Sequence, residues 1–143
     1  MDPNDLIKYE APPNFAAICA VFPDAVTHEG AIFSYAPHIY APKLTPGQGL
    51  APHLHIHEQV HHQQQKAIGG PEIWWERYLA DVNFRLEQEI EAYRAQYQFV
   101  LTNHGNNRGT QDFLFKIACD LSGPLYGNII SYGAAESKIR RKN

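Results

Sequence analysis

The chain is short of most features that would give away a partner. Its 143 residues include two cysteines, Cys19 and Cys119, far apart and without CxxC spacing. That excludes a disulfide framework and a cysteine-built metal knuckle. Both thiols lie in apolar runs, "AAICAVF" and "FKIACDL", and are expected to be buried and unpaired. No run is long and apolar enough to span a membrane. Charge of one sign is missing too: 12 Lys and Arg stand against 15 Asp and Glu, a formal net charge of −3. This argues against a nucleic-acid partner, and the basic end, residues 138–143, reads as a solvated tail. The opening "MDPNDLIKYE" has neither the basic start nor the apolar stretch of a signal peptide, so a cytoplasmic location is expected. No internal repeat divides the chain, which predicts a single domain over residues 1–143 around one core.

What the chain does have is histidine. Five of its eight histidines fall between His53 and His62, in "HLHIHEQVHHQQQ". The surrounding pattern decides how that stretch is presented. Residues 1–12 read as an extended lead-in, ended by Pro12 and Pro13. Asn14 has the chemistry of a cap before "FAAICAVF", a short helix ending near Pro23. "AIFSYAPHIYA" is aromatic and β-branched around Pro37, which predicts a strand, a turn and a second strand over Ile39 to Ala41. "PKLTPGQGLAP" is a loop.

From Pro52 the pattern turns helical. Proline suits a first turn, Leu54, Ile56 and Val60 supply apolar positions, and "GGP" stops the helix after Ile68. "EIWWERYLA" is a short helix whose Trp74 and Trp75 anchor a core or a junction. "DVNFRLEQEIEAYRAQYQFVL" is the strongest helix, capped by Asp81 or Asn83, with Phe84, Ile90, Tyr97 and Leu101 as its buried stripe. Thr110 is the expected cap of "TQDFLFKIACDLS". "GPLYGN" is a turn, and "IISYGAAESKIRRKN" reads as a strand-like run followed by a short helix. The order predicts an α+β fold, a small β-sheet packed on a helical bundle.

On the first long helix, His57-Glu58-Gln59-Val60-His61 forms an HExxH motif. Residues four apart share a helix face about 5.4 Å apart along the axis, so two imidazoles can converge on one ion. Glu58 lies about 100° round from His57, where it can reach a water beside that ion without ligating it. Zinc lowers the pKa of bound water to about 7, and a neighbouring carboxylate can take the proton as the water attacks a carbonyl.

A catalytic zinc usually has three protein ligands. The long helix offers Glu87, Glu89 and Glu91, which spread around it and cannot all face one point. His53 shares a face with His57 and suits a group supporting the ligands, an outer contact to the metal, or a polar helix end. His55 and His62 point elsewhere and are read as surface residues. Were residues 53–57 a strand, His53, His55 and His57 would line one side as an HxH site. His38 and His104 belong to no motif. Tyr126 lies in a glycine-flanked turn, where its hydroxyl would serve an oxyanion if the turn folded over a cleft, or simply pack.

His57-Glu58-x-x-His61, followed by Glu89-Ile-Glu-Ala-Tyr93 on a second helix, resembles the gluzincin metallopeptidases, which pair HExxH with a downstream ExxxD. The resemblance implies Glu89 as third zinc ligand. It departs at Tyr93, where the pattern has an aspartate that supports the first helix; Tyr93 offers one hydroxyl and no charge. "FAAICAVFPDA", "IFSYAPHIYAP", "GGPEIWWERYLADVNF" and "LSGPLYGNIIS" extend the likeness to small, often phage-encoded proteins with a minimal zincin core. For such a protein the implied location is the host cytoplasm.

The expectation is a zinc-dependent hydrolase, a metallopeptidase of minimal gluzincin type. His57, His61 and Glu89 would bind Zn2+, with Glu58 as general base and Tyr93, His53 and Tyr126 as supporting groups. Its partner would be a peptide or protein substrate, added as a strand along "AIFSYA", with neither nucleic acid nor membrane involved. The rivals are a non-enzymatic zinc protein on the same core and a metal-free helical interaction protein.

Overall fold

Proline and glycine set most element boundaries, as seen in a computed structural model that describes residues 2–26 and 30–141. After a 3-10 turn at Pro3–Leu6 come β1 (Ile7–Lys8) and α1 (Phe15–Val21). A second turn at Pro23–Val26 precedes β2 (Phe33–Tyr35) and β3 (His38–Tyr40). The helices α2 (Pro52–Ile68), α3 (Pro71–Ala80), α4 (Val82–His104) and α5 (Arg108–Leu121) follow. A last 3-10 turn at Pro124–Tyr126 leads into α6 (Tyr132–Arg140). The protein is therefore mixed α+β, with helices packed on a small sheet.

The sheet has the order β1-β3-β2. β2 and β3 are antiparallel, Ser34 opposite Ile39, and join through Ala36 and the cis-linked Pro37. β1 runs parallel to β3 with Ile7 opposite Ile39. α2 starts on Pro52 and stops at Gly69, whose φ of 111° lies in the left-handed region that glycine enters without a Cβ clash. Asp81 caps α4, its carboxylate accepting from the backbone N–H of Asn83 at 3.0 Å and of Phe84 at 3.2 Å.

Two apolar clusters frame the molecule. An aliphatic one joins Leu86 and Tyr97 of α4 to Leu114, Ile117 and Leu121 of α5 and Ile139 of α6. An aromatic one packs Trp74, Trp75 and Tyr78 of α3 with Phe84 against Ile18, Phe33 and Tyr40. Trp74 stacks on Tyr78 with ring centroids 4.7 Å apart, the core anchoring expected of the tryptophan pair. Between the clusters lies a polar seam where α2 meets α4.

Several expectations are corrected. Residues 1–12 are not simply extended: Asn4 accepts the Leu50 N–H at 3.2 Å, and β1 joins the sheet. Lys138 and Arg140 form the last turn of α6 and Ile139 is wholly buried there, so the basic end is not a free tail up to residue 140; residues 142–143 lie outside the described ones. No strand forms at Ile129 and Ile130. Asn107, not Thr110, caps α5, accepting the Thr110 N–H at 3.0 Å while the Thr110 hydroxyl donates to the Gly105 carbonyl. β3 is His38–Tyr40 rather than Ile39 to Ala41. Cys119 is exposed and Cys19 half-buried, because their helices turn larger apolar residues inward. No helix among the described residues is long and apolar enough to cross a membrane.

Candidate metal centre

Two polar stripes meet in the seam. On α2, His57, Glu58, His61 and Gln65 are buried; on α4, Glu89, Ala92 and Gln96 are buried at a 3-4 spacing that keeps them on one face. Ala92, with no exposed surface, lets the two helices approach closely. Residues 53–57 are helical, so the strand-borne HxH arrangement of His53, His55 and His57 does not exist.

The stripes converge at one point. His57 Nε2 and His61 Nε2 each lie 3.0 Å from Glu89 Oε1 and 3.2 Å from one another. Ligand atoms about 2.0–2.1 Å from a tetrahedral ion stand about 3.3 Å apart, so this triangle is close to one face of such a site. His57, His61 and Glu89 are the one group among the described residues whose ligand atoms could together hold a metal ion. The other helix-borne candidates turn away: Glu87 is exposed, and Glu91 accepts from Gln64 Nε2 at 3.1 Å.

Hydrogen bonds behind the rings fix what the triangle offers. His57 Nδ1 donates to Gln96 Oε1 at 2.8 Å, and His61 Nδ1 donates to Gln64 Oε1 at 2.8 Å. Both Nε2 atoms are then lone-pair acceptors in the neutral rings. They face a carboxylate oxygen that also has no proton to give. Three acceptors at this separation call for a cation or a proton between them. Without metal, a proton supplies it. Burial works against a charged His61, but the Glu89 carboxylate outweighs it and holds the imidazole up at about 9. Burial likewise opposes ionised Glu89, and the His61 and His57 rings overcome it, keeping the carboxyl well below its usual range. Tyr78, which the sequence reading did not single out, donates its hydroxyl to Glu89 Oε2 at 2.5 Å.

Glu58 stands apart from this closed network. Its carboxyl is buried, and Oε2 has no hydrogen-bond partner. Burial raises its pKa, and the Glu89 charge adds to that while His57 and His61 pull the other way. The buried carboxyl thus feels both imidazoles while one of its oxygens has no hydrogen-bond partner.

No family model, curated protein or solved structure matches the chain.

The remaining candidates find varied places. His53 Nδ1 accepts from Gln96 Nε2 at 2.9 Å, so His53 supports the support of His57. Burial holds His53 below its ordinary value, consistent with a neutral acceptor. Tyr93 does not act as the expected aspartate would: its ring packs edge-on against His57 at 4.7 Å, and its hydroxyl bonds that of Tyr126. Tyr126 is buried in the aliphatic cluster. His55, read as a surface residue, is buried and bonds Asn4 Oδ1 at 2.8 Å, because the lead-in folds over it. His62 is half-buried and donates to the His38 carbonyl at 2.9 Å.

The β2 edge is not open at its centre. The Ser34 carbonyl accepts from Gln65 Nε2 and Trp75 Nε1, both at 2.8 Å, and the Ala36 N–H donates to Gln65 Oε1 at 2.8 Å. The Gln65 amide stands where the peptide group of an added strand would bond, so strand addition along "AIFSYA" is blocked there. An open groove of about 470 Å³ is lined in part by Gln63, Gln64, Gln88 and Glu91.

Proposed function

We propose that this protein is a zinc-dependent hydrolase of peptide bonds, built as a minimal gluzincin. His57, His61 and Glu89 would hold the zinc. The observation that carries the reading is the pairing of a three-acceptor triangle with the buried carboxyl of Glu58, which feels the charges of all three members and whose Oε2 has no hydrogen-bond partner. Either alone has a bland explanation; together they match a metal with a general base. Zinc bound there would supply Lewis acidity to a carbonyl and to water. Glu58 takes the proton from the attacking water and returns it to the leaving amine. Tyr78 and the ring partners Gln64 and Gln96 hold the ligands in one tautomer and one orientation. The substrate is a peptide or protein segment that reaches Glu58 without pairing at Ser34.

The deciding experiment compares wild type with Glu58→Gln on a mixed peptide library, with zinc content measured on the same samples. The expected result is one zinc per chain in both, and hydrolysis reduced by roughly a hundredfold or more in the variant. Full hydrolytic rate with zinc retained would remove Glu58 from the mechanism.

A specific observation favours a second reading, a non-enzymatic zinc protein. His57, Glu58, His61 and Glu89 are only 9, 5, 4 and 5 % exposed, as closed as a structural site. Chelation separates the two. A structural zinc takes the fold with it, whereas a catalytic one leaves the helices and their melting transition in place.

A further inference from the structure

We propose that Gln64 and Gln96 are positioning residues that give the metal centre a neutral backing, so that Glu89 carries the only full charge bonded directly to the imidazoles. This rests on the metal reading above and extends it to how tightly the ion is held.

The orientation of each glutamine follows from its partners, which tell the carbonyl and amide ends apart. Gln64 Nε2 meets two acceptors, the Gln88 carbonyl at 3.0 Å and Glu91 Oε1 at 3.1 Å. Its Oε1 is therefore the end that faces His61 Nδ1. Gln96 bridges two imidazoles: His57 Nδ1, which donates when its Nε2 offers a lone pair to an ion, takes Oε1, and Nε2 is left to donate to His53 Nδ1. Reversing either amide would put N–H against a ring nitrogen that must itself donate.

The chemistry of that second contact matters. Metal-bound histidines often donate their far N–H to a carboxylate, which raises the basicity of the ring and tightens binding. Here both far N–H groups meet amide carbonyls. The position four residues after Glu89 is Tyr93, a ring against His57 rather than an acceptor for it. The acceptor comes instead from Gln96, seven residues after Glu89 on the same face of α4. Gln96 is 3 % exposed; a glutamate in its place would keep an acceptor for His57 and would turn His53 to its Nδ1–H tautomer, because the amide that donates to His53 Nδ1 would be gone. The consequence is a centre that fixes its tautomers without extra negative charge. Such a centre binds zinc less tightly than a carboxylate-backed one and leaves the ion more electron-poor.

The test is competition against a chromophoric zinc chelator at neutral pH. The samples are the metal-stripped full chain and its Gln96→Glu, Gln96→Leu and Gln64→Leu variants, each also melted without metal. Gln96→Glu is expected to bind zinc about tenfold more tightly, and each leucine variant about tenfold to a hundredfold more weakly. Opposite signs at one position are what a merely structural role would not produce. If Gln96→Leu fails to fold, the near-isosteric Gln96→Glu carries the test. Unchanged zinc affinity in Gln96→Glu, or in the folded leucine variants, would overturn the proposal while leaving the metal site standing. A wild type that takes no zinc would overturn the metal reading, and this proposal with it.

Discussion

Helices α2 and α5 both lie against α4, and they bury opposite kinds of surface. α5 turns Thr110, Leu114, Ile117, Ala118 and Leu121 inward. α2 turns in His55, His57, Glu58, His61 and Gln65. The α5 face stabilises the fold by leaving water, at about 1.5–3 kcal/mol for a fully buried leucine or isoleucine. The α2 face gains little that way and costs about 1–3 kcal/mol for each buried polar group left unpaired. It therefore pairs nearly every atom, and the exceptions, Glu58 Oε2 and His55 Nδ1, stand out against that background. Stability is concentrated around one helix and the candidate chemistry around the other. The comparison also explains why a helix with so few apolar residues folds at all: α4 presents a matching polar stripe, and the aromatic and aliphatic clusters on either side hold the two stripes together.

The sharpest way to break this contrast is to damage the α5 face alone. Leu114 is 1 % exposed. Leu114→Ala is expected to cost roughly 3 kcal/mol, read as a lower denaturation midpoint, through lost burial and the cavity left behind. The folded fraction should still bind one zinc per chain. Loss of zinc from folded Leu114→Ala would show that the two faces are not separable.

Some of this division was legible in the residues and some was not. Pro52 and Gly69 bound a helix long enough to place His57 and His61 on one face, and that much is local chemistry. That α4 is a helix with its glutamates spread around it is local too. Which glutamate turns toward α2 depends on how the helices pack, and the wholly buried Ala92 lies on the same face of α4 as Glu89. Gln96 and Gln64 went unnoticed because a glutamine on a helix has no signature until its partner is known; only their spacing from Glu89 and His61 hinted at a shared face. Asn4 reaches His55 across 51 positions, a contact that no window of sequence contains. Thr110 and Asn107 both have capping chemistry, and the choice between them fell to the first turn, where Thr110 is buried. The closed edge of β2 depends on Gln65 and Trp75, which come from two different helices.

A second way to separate the faces is pH. In the metal-free protein His61 is held up at about 9, above the ordinary histidine value. A raised folded-state value means that stability is fully present below about pH 6.5 and is lost as pH rises through about 9. The loss should be on the order of 2 kcal/mol between about pH 6 and about pH 8.5. Glu58, raised by burial, works in the same direction, since ionising it in the folded state is unfavourable. Glu89 is depressed, so its contribution is present above about pH 4.5 and disappears only in stronger acid, outside this window. Urea midpoints of the stripped protein should therefore fall toward alkaline pH. Saturating zinc should cancel the fall, because the ion takes the place of the proton. Leu114→Ala should show the same slope at a lower level, because α5 buries no titratable group. A flat profile without metal would mean that the triangle carries no proton.

The smallest effect is expected where the two kinds of core share a residue. Tyr78 stacks its ring on Trp74 in the aromatic cluster and donates its hydroxyl to Glu89 Oε2. Tyr78→Phe keeps the ring and removes only the hydrogen bond. A bond to a charged acceptor contributes about 1.5–3 kcal/mol, and the low end applies here because the two imidazoles still face the carboxylate. Roughly 1.5 kcal/mol should be lost from the stripped protein, with zinc still bound at one per chain. Arg85 bears on the size of the loss, since its Nε donates to the Tyr78 carbonyl at 2.9 Å and its guanidinium lies 5.5 Å from the ring, so the backbone and ring stay anchored in the variant. A cost as large as that of Leu114→Ala would mean that the hydroxyl positions the ring as well as the carboxylate. The boundary between the apolar core and the polar seam would then run through the side chain of Tyr78 rather than around it.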